Sequence, residues 1–182
     1  MSSLNDDNFI RILRLIMEKF ECDPDTAKRI LGEFHLKLVC GKEVATSSSL
    51  QASLLTAFET GKRAFLGGVS VLVPDDVECL VGPHKGKDIK KLLSNAGLAE
   101  TKDPKKTFTL FFGDADYSQA VGESLRVIST GWRGGIVPLG EKIELKGNYD
   151  FSLGGVMAGA LGVAAAFFAV TGIRPSIVDK PV

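Results

Sequence analysis

A chain of 182 residues, 45% hydrophobic and 24% charged, has the composition of one well-buried globular domain and leaves no room for two full-sized ones or a long disordered tail. Lys plus Arg equals Asp plus Glu at 22 each, so no net field draws the protein to nucleic acid or an acidic membrane. Cys22, Cys40 and Cys79 are odd in number and far apart, which argues against a disulfide framework and a zinc site, and Asp6 and Asp7 stand where a signal peptide would be basic. A reducing, cytoplasmic setting is expected.

Phe9, Ile12, Leu13, Ile16, Met17 and Phe20 recur at three and four, which predicts an amphipathic helix over 9–20 with residues 5–8 as candidate caps. Asp23-Pro24-Asp25 supplies an N-cap, a proline suited to a first turn and a first-turn carboxylate. Ala27, Ile30, Leu31, Phe34 and Leu38 keep helical spacing, so a second helix is expected to run through Leu38. Ser47 to Ser49 cap a third, with Leu50, Leu54, Leu55 and Phe58 as its stripe and Gly61 as its stop. The first third is therefore expected to be all helical.

Residues 64–73, AFLGGVSVLV, predict a buried strand, or a strand pair bent at Gly67-Gly68, ended by Pro74; the sheet is expected to begin here. A short helix over 87–95 with Gly97 as its stop follows, then strands over 107–112 and 125–129 and a third at Ile136-Val137. Residues 153–173 are uncharged, with five glycines and six alanines, closed by Gly172 and Pro175. Their length and the Gly155-x-x-x-Gly159 spacing would suit a membrane span, but the segment lacks an aromatic belt and basic flanks. Small residues also let a helix lie close to a sheet, so a buried helix is expected, with Leu161, Phe167 and Phe168 inside. The fold class read this way is α/β in one domain over 1–182. A helical part (1–61) precedes a Rossmann-like sheet (62–182) carrying the Gly/Ala-rich helix.

Chemistry-bearing motifs are sparse. Gly67-Gly68 lacks the third glycine and the following helix of a dinucleotide loop, and three residues rather than four separate Gly82 from Gly86-Lys87, so no P-loop is read there. Asp114 and Asp116 stand just past a strand end, where α/β folds hold ligands, and are the candidate ligand or metal residues; solvated loop carboxylates, with a helix N-cap among them, are the alternative. Neither His35 nor His84 has a nucleophile motif beside it. Seven lysines between residues 84 and 106 make a basic edge without an aromatic to stack on bases. Gly131-Trp132-Arg133-Gly134-Gly135 holds the only Trp, and a large aromatic beside an Arg on a mobile turn is the chemistry of interface anchors. Trp132, Arg133, Gly134 and Gly135 are the candidate partner-binding residues, with a Trp that plugs the core edge as the alternative.

Three segments taken in order carry a resemblance over residues 10–173. They are Arg63-Ala64-Phe65-Leu66-Gly67-Gly68-Val69, then Gly131-Trp132-Arg133-Gly134-Gly135-Ile136-Val137-Pro138, then Gly155-Val156-Met157-Ala158-Gly159-Ala160-Leu161. Together they resemble the N-terminal domain that precedes the adenylation domain in bacterial ThiF-family proteins, relatives of ubiquitin-activating enzymes. Ala165 departs from the Glu usual in such helices, and the family's ATP-binding loop, metal-binding Asp and catalytic Cys belong to parts not in this sequence.

The resemblance implies a non-catalytic, adenylation-like domain that pairs with an active adenylation domain. Protein partners would be that domain, a ubiquitin-like protein or a conjugating enzyme, with no cofactor here and ATP and Mg in the partner. It also implies that an arginine near the start of one half can reach the nucleotide held by the other; Arg11 and Arg14, neighbours on the first helix, are the candidates. A ligand- or metal-dependent enzyme using Asp114 and Asp116, and a membrane-tethered module, stand as alternatives.

Overall fold

The structure, a computed structural model, describes residues 6–94, 105–143, 145 and 151–173. The expected stops at Gly97 and Pro175 lie outside them. The first helix, α1 (Asp6–Phe20), places Ile16 in the core, and α2 (Pro24–Gly32) buries Ala27 and Leu31. Asp23 caps α2, its Oδ1 accepting the N–H groups of Asp25 and Thr26 at 3.0 and 3.1 Å. The Thr26 hydroxyl donates to the same carboxylate, which holds the Asp23 carboxyl below its ordinary range.

The second helix does not run to Leu38. It ends at Gly32, and β1 (Phe34–Cys40) follows. This strand lies between two parallel neighbours and is buried on both faces at six of its seven positions. A strand buried on both sides is apolar almost throughout, so Phe34 and Leu38 matched a helical spacing by coincidence; they also match a period of two. The first third is therefore helical with one internal strand.

Next, α3 (Ser48–Ala64) is capped by Ser47, whose Oγ accepts the Leu50 N–H at 3.2 Å. It continues past Gly61, where the missing side chain makes room for Leu36 and Val69. Residues 64–73 are consequently not a single strand or a bent pair. The chain turns at Phe65 to Gly68 and enters β2 (Val69–Leu72), the expected strand shortened to its second half. A Cβ at Gly67 would collide with the Phe34 carbonyl, and Gly68 has φ +104°, so the pair of glycines makes the turn.

The remaining elements follow the expected order: α4 (Ile89–Ser94), β3 (Lys106–Phe112), β4 (Glu123–Thr130), β5 (Arg133–Pro138) and α5 (Leu153–Thr171). The sheet order is β2-β1-β3-β4-β5, with β5 antiparallel to β4 and the other pairs parallel. On one face Leu36, Leu38, Leu110, Phe112 and Val127 join residues of α1 to α5 in the main core. The alternate side chains Val39 and Phe111 form a small second cluster with Ala115. The loop over 113–122 is pinned by Thr109, whose Oγ exchanges hydrogen bonds with the Val121 backbone, and by Lys37, whose Nζ donates to the Gln119 carbonyl.

The Gly/Ala-rich helix packs on the sheet as expected, and it packs on α3 as well. Added Cβ atoms at Gly155 and Gly159 would collide with the carbonyl oxygens of Ser49 and Ser53, and one at Gly162 would crowd Leu110 and Val127. Phe167 is buried and Gly172 ends the helix in the left-handed conformation at φ +66°. Leu161 departs from expectation: it points outward, 45% exposed, because the glycine row takes the inner face and leaves the larger residues outside.

Candidate functional site

Among the described residues, two places stand out as able to meet a ligand or partner. The first is the crevice between the C-terminal ends of β1 and β3, where the chain leaves β1 toward one side of the sheet and β3 toward the other. Open α/β sheets hold ligands at such a switch point, on backbone amides of a glycine-rich turn. Here the turn from β1 to α3 has a single glycine, Gly41, and Lys42–Ala45 fold into a 3-10 turn with Val44 buried. Across the crevice Asp114 reaches in, and its Oδ1 accepts the Glu43 N–H at 2.9 Å. A side chain at Gly41 would collide with that same carboxylate. The protein's own anion thus sits on the first βα turn.

Beside it lies a cavity of about 410 Å³ lined by Glu43, Leu50, Gly113, Arg126 and Ser129. The Arg126 Nη2 is already bonded to the carbonyls of Glu141 and Ile143, at 2.7 and 3.2 Å.

The second place is the β4–β5 hairpin and the helix that backs it. Thr130 pairs with Arg133, so Gly131 and Trp132 form a two-residue turn, with Gly131 at φ +53°. The turn is sewn to the start of α5: the Gly154 N–H donates to the Gly131 carbonyl at 3.1 Å, and Gly134 lies directly against the Gly154 carbonyl. Trp132 is 70% exposed and its ring lies over Phe151, centroids 4.1 Å apart and planes 32° from parallel. The expected surface position of Trp132, Arg133 and Gly134 is what the structure shows; Gly135 is half-buried with open space above it.

From Phe151 the apolar surface continues along α5. Leu153, Val156, Met157, Ala160, Leu161 and Ala164 are all exposed and share one side of the helix, at spacings of three and four. Sequence reasoning missed this face because it assigned the whole helix to the interior. The signal was present: glycines at 155, 159 and 162 fall on one side, and the large residues 153, 157 and 161 on the other.

The remaining candidates stand apart from one another. Asp116 caps the turn over Tyr117–Gln119, accepting from the Ser118 hydroxyl and N–H at 2.7 and 3.0 Å, and the hydroxyl holds its carboxyl below the ordinary range. Asp114 is turned to Glu43, so the two carboxylates serve different loops. Among the described residues no group of three or more His, Cys, Asp or Glu is placed to hold a metal ion. Arg11 and Arg14 are both exposed on α1. The basic edge is partly spent inside the fold: Lys105 pairs with Glu33 at 2.6 Å, and Lys106 donates to the Val170 carbonyl near the end of α5 at 2.9 Å. Burial pushes the Cys40 thiol up, which makes it a poor nucleophile.

Residues 35–182 match the family described as the BilD N-terminal domain. The match begins in β1, so α1 and α2 lie ahead of it. Among curated proteins, the bacterial E1-like protein BilD of Collimonas sp. (strain OK412) is 29% identical over 154 residues, 83% of this chain and 33% of that protein. The chain therefore spans a third of the length of the curated relative it matches. No solved structure matches it.

Proposed function

The chain belongs to the BilD N-terminal domain family, and we propose that it is the non-catalytic, ThiF-like part of a bacterial E1-like protein. In this reading it supports an adenylation domain that activates a ubiquitin-like protein in the cytoplasm. ATP and Mg are held by that partner. The observation that carries the reading is Asp114 in the switch-point crevice. A carboxylate already bonded to the Glu43 N–H repels a triphosphate and takes the amide that would receive it.

The work left to such a domain is positional. A rigid sheet presents an apolar surface, led by Trp132 with Arg133 at its edge, on which an active half can be held in register. Arg11 and Arg14 remain the groups proposed to reach the partner's nucleotide, since both are exposed cations near the start of the chain. By length and composition α5 could cross a membrane, but half of its apolar stretch is buried here, and Gly155 and Gly159 rest on the α3 backbone. Leaving the fold would open the main core, which favours the supporting role.

Sedimentation of the chain with an adenylating E1-like partner tests the reading. A stable complex is expected, weakened by Trp132→Ala; two species that sediment independently would overturn it.

A further inference from the structure

We infer that the outer face of α5 is the seat of an α-helix supplied by the remaining two thirds of the E1-like protein. This rests on the reading that the domain pairs with an adenylating part. Phe151, Leu153, Val156, Met157 and Leu161 are 38 to 56% exposed, and Trp132 at their end is 70% exposed. No charged residue interrupts the sequence from Phe151 to Ile173. A contiguous apolar surface of this kind marks a contact for another macromolecule. The helix cannot rotate to hide it, because Gly155 and Gly159 lock the opposite side onto the Ser49 and Ser53 carbonyls.

The relief of the face selects its occupant. Leu153, Met157 and Leu161 form a ridge along the i, i+4 row, and Val156, Ala160 and Ala164 form a shallower row beside it. A ridge beside a row of small side chains receives the ridge of a second helix, at an interaxial distance of roughly 8 to 10 Å. The source of that helix follows from length. The matched region is only 33% of the E1-like relative, so that protein has twice as much chain again from which such a helix would come. Because α5 offers nothing to neutralise a charge, the occupant's central positions are apolar. Its edge carries a carboxylate within reach of the planar donors of Arg133, which is exposed at the end of the face.

The test places a photoreactive benzoylphenylalanine at Met157 or Ala160, at Trp132, or at exposed Lys28 as the reference, in the protein expressed from its own gene. Crosslinked peptides are then mapped. Crosslinks from Met157 and Ala160 to spaced apolar positions of one helix in the adenylating part are expected. Ala160→Arg should lower the Met157 crosslink yield by at least roughly tenfold, since it places an unpaired charge in an apolar contact, while leaving the melting temperature of the isolated 182-residue chain unchanged. Crosslinks to α5 of a second copy, crosslinks to lipid, or yields no higher than at Lys28 would each overturn the inference. Crosslinks to the adenylating part from Trp132 alone would overturn it too, while leaving the supporting role intact.

Discussion

The indole of Trp132 rests on the ring of Phe151 rather than in the core, with centroids 4.1 Å apart and most of its own surface in solvent. Removing it should therefore cost the fold little. Trp132→Ala is expected to lower stability by no more than the worth of one aromatic pair, about 0.5 to 1.5 kcal/mol, while costing at least about 2 kcal/mol of partner binding. Denaturant melts and a binding titration on the same variant separate the two effects.

The two sides of α5 should respond oppositely to substitution. Gly159→Val drives a branched side chain into the Ser53 backbone, and overpacking of this kind costs about 1 to 3 kcal/mol or more because neither helix can yield. Leu161→Asp faces water and should shift stability by no more than about 0.5 kcal/mol. Thermal melts check both. A Leu161→Asp variant that unfolds would mean that the outer face is a core surface.

Gln51 is fully buried and holds three backbone groups at once. Its Nε2 donates to the Val44 and Glu78 carbonyls at 3.0 and 2.9 Å, and its Oε1 accepts the Leu80 N–H at 2.6 Å. Gln51→Leu keeps the bulk and orphans all three, so a loss of about 3 kcal/mol or more is expected in urea unfolding.

The Asp23 cap sets a pH dependence. Its folded carboxyl titrates below the ordinary range because the Thr26 hydroxyl and N–H bind the ionised form. The contribution is fully present above the unfolded value and is lost as pH falls through the lower folded one. Melting temperatures of wild type and Asp23→Ala should differ at pH 7 and converge in acid. A constant gap would show that the carboxylate charge does not matter to the cap.

The sequence made the later strands and the closing helix legible, because TFTLFF and LRVIS are short apolar runs between turn residues and the Gly/Ala segment has clean stops. It misled at β1, where burial on both sides removes the alternation that distinguishes a strand, and at Arg63 and Ala64, where α3 outlasts Gly61. The Trp132 turn could be found from composition alone. Its continuation along α5 could not, since apolar residues facing out and apolar residues facing in read alike until the glycines are seen to occupy the inner row. The role of Asp114 was equally hidden, because its partner is the Glu43 amide, distant in sequence and joined only by the β1–β3 pairing.

Isotopic ATP–pyrophosphate exchange, run on the isolated chain and again after adding an adenylating E1-like partner and its ubiquitin-like substrate, tests the supporting role most directly. The isolated chain should show no exchange above a heat-denatured control, and titrating it into the partner should raise the partner's rate until the complex saturates. Exchange by the chain alone, or a partner rate that does not respond to it, would contradict the proposed function.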